Sequence, residues 1–168
     1  MVGGASLLLL SAAVVHHAND HLQSIGSRPS CREGSRVQVF YRAEKYGTVF
    51  YSVKYTRVKI RNSYTVTYTG RSGETKYGLI QYFFVSDTSI LPLVVVKVLE
   101  RCTVSLQDNF NVTDSNVNQL TPFLVPVRES DECDVTDLGN IQEKCLYITF
   151  PSEFTDKYVI RFPHKMHD

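Results

Sequence analysis

Residues 48–69 read TVFYSVKYTRVKIRNSYTVTYT, and this stretch decides the fold. In its first half Val49, Tyr51, Val53 and Tyr55 alternate with Ser52, Lys54 and Thr56. In its second half Tyr64, Val66 and Tyr68 alternate with Thr65 and Thr67. Successive side chains of a strand point to opposite faces, so a period of two built from β-branched and aromatic residues marks half-buried antiparallel strands. The odd positions of the first half, tyrosines included, are expected to face the core. Gly70–Gly73 (GRSG) supplies the turn chemistry for a reversal into a further strand at Tyr77.

Outward from this stretch the β signals continue: 36–42, 77–85, 92–104, 123–127, 144–150 and 157–162. Leu93–Val96 is apolar without alternation, as expected of a strand buried on both faces. Residues 1–24 are the one stretch with a helical composition, and Ile25–Gly34 reads as a linker. The expected organisation is a leader helix and linker over 1–34, a β-barrel domain over 35–163 and a tail over 164–168. With 43% hydrophobic and 21% charged residues the chain has the composition of a folded globular protein and is excluded from the disordered and fibrous classes.

The charge is divided along the chain. Arg36–Lys76 holds nine Lys/Arg against Glu44 and Glu74, a formal charge of +7, whereas Asp108–Glu143 holds eight acids against Arg128, a charge of −7. The acids are expected in loops, with Gln107–Thr121 (QDNFNVTDSNVNQLT) the longest. Lys54, Arg57, Lys59 and Arg61, interleaved with Tyr51, Tyr55 and Tyr64, form the candidate contact surface: cations meet phosphates and aromatic rings stack on bases. The competing reading is a wet face that complements the chain's own acids.

No phosphate loop, dinucleotide fingerprint or zinc-protease motif occurs, so neither enzyme activity nor a cofactor is expected. His17 with His21 and His164 with His167 have metal-compatible spacing, but no further ligand accompanies them locally, and both pairs are expected at solvated termini. Cys31, Cys102, Cys133 and Cys145 contain no CxxC pair and read as reduced core thiols. The leader-like start, the even cysteine count and the Asn111 sequon together support an alternative, a secreted lipocalin-like barrel with two disulfides and an apolar ligand. Against it, no Lys or Arg precedes Arg28, and the first apolar run is too short to span a membrane.

Tyr77–Phe84 (YGLIQYFF) resembles the "YGxIxxF" strand of a domain found downstream of transposase regions in CACTA (En/Spm-type) elements. Gly47–Tyr64, with its basic Tyr55, Arg57, Arg61, Asn62, Ser63 run, looks like the same transposon-derived family. Asp134–Ile141 followed by Glu143–Ile148 is similar to the closing part of bromo-adjacent homology (BAH) domains. The resemblance implies a small, partly open SH3/BAH-like barrel serving as a nuclear, non-enzymatic binding module for nucleic acid or an acidic protein surface. The "RPEE"-like segment of BAH domains has no counterpart in Lys97–Arg101, so no histone-peptide site is assigned.

Overall fold

A computed structural model describes residues 6–55, 64–85, 92–103, 123–149 and 157–161. The elements are β1 (Ser6–Leu9), α1 (Ala12–Ser24), β2 (Arg36–Phe40), β3 (Arg42–Lys45), β4 (Thr48–Tyr51), β5 (Thr65–Thr69), β6 (Thr75–Phe84), β7 (Leu93–Arg101), β8 (Leu124–Asp137), a 3-10 turn (Leu138–Asn140), β9 (Ile141–Thr149) and β10 (Lys157–Arg161). Among the described residues the chain is all-β, as the alternation predicts, with one short N-terminal helix, as the composition of residues 1–24 predicts.

Six strands close a barrel. In the order β6, β5, β9, β10, β8, β7 each is antiparallel to the next, and β7 pairs back onto β6. β6 is long enough to serve three neighbours: β7 along one edge, β5 on the first half of the other edge and β2 on the second. β1 then adds to β2, while β3 and β4 form a separate hairpin. Closure removes the open edge that a partly open barrel would leave to be protected.

Apolar side chains from five ring strands, Tyr77, Leu79, Leu99, Val127, Cys145 and Val159 among them, converge in one cluster. A second gathers Phe50, Val66, Tyr68, Ile80, Phe83, Val94, Val96, Leu138 and Ile141. A third lies under α1, where Val14, Ala18 and Leu22, spaced four apart, meet Val39, Phe84, Leu93, Val95 and Val135. The N-terminal segment is therefore part of the packed core. Ser11 caps α1, and Gly26 ends it in the left-handed region (φ +75°), with Ser27 N–H donating to Leu22 O at 2.8 Å and Gly26 N–H to Gln23 O at 3.0 Å.

Several expectations are corrected. Residues 6–9 (SLLL) are a strand, not the start of a helix: a short run of leucines does not choose between the two by itself, and pairing with β2 decides it. β4 ends at Tyr51, and the buried residues there are Phe50 and, just beyond the strand, Ser52, while Val49 and Tyr51 are only half-buried; Val53, expected inward, does pack against the first cluster. The two-residue turn before it sets that register, and Phe50 seats in the second cluster. β5 is not half-wet: Thr65, Val66, Thr67 and Tyr68 are all buried, because the strand has a cluster on either face. Glu129, Asp131, Glu132, Asp134 and Asp137 lie in β8 and not in a loop, with Ser130–Glu132 falling where the register to β7 shifts. Leu93–Val96 is buried on both faces as expected, and the 70–73 reversal forms, with Gly73 N–H donating to Gly70 O at 3.0 Å. Gln107–Thr121, Asn111, His164 and His167 lie outside the described residues.

Candidate functional site: a basic hairpin and two polar junctions

β3 and β4 are joined by two residues, Tyr46 and Gly47, both with positive φ (+49° and +76°). This is the backbone of the tight hairpin turn whose preferred sequences are Asn-Gly and Asp-Gly. Tyr46 takes the first place, and its side chain is 96% exposed. Lys45 fixes the tip to the rest of the molecule, its Nζ donating to Gly139 O at 2.7 Å and to Ile141 O at 2.6 Å, while standing 5.7 Å from the centre of the Tyr46 ring. Beside the tip lies a groove of about 380 Å³ that includes Thr48, Phe50 and Lys144. The Lys144 ammonium sits 5.6 Å over the Phe50 ring, and burial pulls its pKa below the ordinary lysine value. It forms no ion pair among the described residues.

Of the four cations expected to make the contact surface, Lys54 is exposed in the turn after β4. Arg57, Lys59 and Arg61 lie outside the described residues. Tyr51 and Tyr55 are half-buried and pack against one another with tilted rings, their centres 4.7 Å apart and their planes at 45°. Elsewhere in the basic window Arg71 donates to Asp20 at 3.1 Å and Lys76 to Asp134 at 2.9 Å, so part of the positive charge is matched internally.

The Lys76–Asp134 pair belongs to a polar junction between β5, β6 and β8. Asp134 Oδ2 accepts from the Tyr68 hydroxyl at 2.9 Å as well as from Lys76. Burial alone would raise the Asp134 carboxyl, but hydrogen bonds from Lys76 and Tyr68 outweigh it and hold its pKa below the usual value. Burial and the adjacent Asp134 charge push the Tyr68 phenol far up. The group is thus an ionised acceptor with two protonated donors. Next to it His21, buried on α1, meets Asp137 at 3.2 Å, and Asp137 also accepts from Asn140 N–H. His21 is therefore a core contact and not a solvated terminal residue, because α1 packs against β8. His21, Tyr68, Lys76, Asp134 and Asn140, with the 70–73 turn, line a cleft of about 520 Å³. Among the described residues no group of three His, Cys, Asp or Glu is placed to hold a metal ion.

At a second junction Glu129 receives Lys157 at 2.6 Å, Tyr147 at 2.8 Å and Lys97 at 3.0 Å, joining β8, β10, β9 and β7. Hydrogen bonds from Lys157, Lys97 and Tyr147, in that order, lower its pKa to about 2. A carboxylate whose pKa is depressed on folding stabilises above its unfolded value, near 4.3, and that contribution is lost as pH falls towards 2. With the side chain about a third exposed, solvent screening leaves roughly 1 kcal/mol. The urea midpoint of wild type should therefore fall more steeply between pH 5 and pH 2.5 than that of Glu129→Gln; parallel profiles would show that the junction contributes nothing.

Cys31, Cys102, Cys133 and Cys145 are unbonded to one another in this structure. Burial pushes the Cys145 thiol up to about 12. Among the described residues no helix is long and apolar enough to cross a membrane. The chain matches no family model, no curated protein and no solved structure. Tyr46 and Lys144 were not legible as site residues. The one local signal was Tyr-Gly standing where hairpin chemistry calls for Asn-Gly.

Proposed function

We propose that this chain is a non-enzymatic binding module, of the transposon-derived kind its sequence resembles, and that it holds nucleic acid in the nucleus through the basic face around β3, β4 and Lys54. One observation carries the reading: an almost fully exposed aromatic ring at a rigid hairpin tip, beside a cation, Lys144, without an ion-pair partner among the described residues. Rings that stack on bases and cations that track the backbone are the two components of sequence-tolerant strand binding. Arg57, Lys59 and Arg61, which follow Lys54 along the chain, are candidate contacts on the sequence alone.

Fluorescence anisotropy with single-stranded and duplex oligonucleotides at two salt concentrations tests the proposal. Four phosphate contacts imply a salt slope near −3 for single strands, so a fourfold rise in salt should weaken binding by roughly fifty-fold. Charge reversal of Lys54, Arg57, Lys59 and Arg61 should weaken binding to all sequences alike. Binding that reversal leaves unchanged would remove this face from the contact, and retention by an acidic protein alone would replace nucleic acid as the partner.

A further inference from the structure

Resting on the nucleic-acid reading, we propose that the groove between Tyr46 and Lys144 is a subsite for one unpaired nucleobase and its adjoining phosphate, which makes the module prefer single strands. The argument begins with a residue that the fold does not explain. A two-residue hairpin loop with positive φ at both positions is served by Asn, Asp or Gly, and a bulky aromatic residue there is strained. Tyr46 occupies the place nonetheless, and its ring reaches no core cluster. Local rules of this kind are broken chiefly where function requires it.

The surroundings specify the ligand. Lys45 is tethered by two carbonyl oxygens and cannot swing away, so the tip beneath the ring is fixed before any partner arrives. Lys144, half-buried over Phe50, offers a positive charge on the groove wall. The acid nearest it in sequence, Glu143, is already occupied by Arg161 at 2.6 Å and does not neutralise it. At about 380 Å³ the groove falls within the size range of small-ligand sites. A flat exposed ring beside an unmatched cation fits a planar aromatic group carrying an anion. In a nucleic acid that unit is the unpaired nucleotide, since bases inside a duplex are stacked on each other and cannot also stack on a protein ring.

The test compares a labelled oligo-dT, the same strand with abasic sites and a duplex of equal length, using the whole chain. Tyr46→Asn removes the ring and suits the turn backbone, so its thermal midpoint should not fall below that of wild type. Its affinity for oligo-dT should drop roughly tenfold, while Tyr46→Phe keeps wild-type affinity and duplex binding is unaltered. The abasic strand should bind wild type no better than oligo-dT binds Tyr46→Asn. Lys144→Gln should reduce the salt slope by about 0.7. Equal losses on single strand and duplex, or no loss with Tyr46→Asn, would overturn the subsite while leaving salt-sensitive binding through Lys54 intact. Failure of every nucleic acid to bind at low salt would overturn the underlying reading as well.

Discussion

Gly78→Ala is expected to destabilise the protein by about 3 kcal/mol, which for a chain of this size lowers the thermal midpoint by roughly 6–12 °C. Gly78 lies in β6 opposite Val66 of β5 on one side and Val98 of β7 on the other. A Cβ built there would overlap the Val96 side chain, stand 2.8 Å from the Lys97 carbonyl oxygen and 3.3 Å from Tyr68 Cε1. The first two are the decisive contacts. Val96 is fully buried and has little room to turn aside, and a strand carbonyl cannot retreat without disturbing the β6–β7 ladder that closes the barrel. The substitution thus acts by overpacking. Val96→Ala, which costs stability on its own, should partly relieve it, so the double variant should be less destabilised than the two single changes predict by about 1 kcal/mol. A midpoint for Gly78→Ala within the scatter of wild type would show that β6 and β7 do not approach as closely as described.

The second large effect belongs to Asp134. Asp134→Ala should cost about 2–4 kcal/mol, read as a shift in urea midpoint at neutral pH. Tyr68 is only 1% exposed, and its hydroxyl donates to Asp134; without the carboxylate this polar group stays buried with its partner gone. Lys76 suffers less, because its ammonium is about a third exposed and has Glu74 at 3.7 Å. Asp134→Asn, which retains an acceptor, should cost clearly less. Tyr68→Phe combined with Asp134→Ala should also cost less than the sum, since removing both partners leaves nothing stranded. A loss for Asp134→Ala no larger than that of an exposed substitution would show that Tyr68 finds another partner, and the junction would not hold β5 to β8.

The local code accounts for much of the barrel. β5, β6, β7 and β10 lie within or across the predicted strands, because β-branched and aromatic residues in alternation favour a pleated surface whatever their neighbours. The 70–73 reversal follows equally directly from its glycines, Gly73 adopting φ +83°. The acids were harder to place. Asp131, Glu132 and Asp134 depress strand propensity and read as loop, yet β8 runs through them, since β7 supplies backbone partners and Lys97, Lys157 and Lys76 meet the charges of Glu129 and Asp134. The candidate site was half legible. Lys54 could be picked out by charge alone, whereas Lys144 gained its place only when β9 carried it beside the hairpin.

The sequence by itself determined that this is an antiparallel β-protein with a basic segment and an acidic one, because alternation, turn residues and charge are properties of neighbours along the chain. Which face of β4 turns inward, that β5 is covered on both faces, that Ser6–Leu9 becomes a strand and that α1 joins the core were decided only by the tertiary structure. So was the meeting of His21 with Asp137, 116 positions apart, and of Tyr68 with Asp134, 66 apart. The physical reason is common to all of these. A period of two says that the two faces of a strand differ, but burial depends on what the closed ring of strands brings against each face, and no local pattern carries that information.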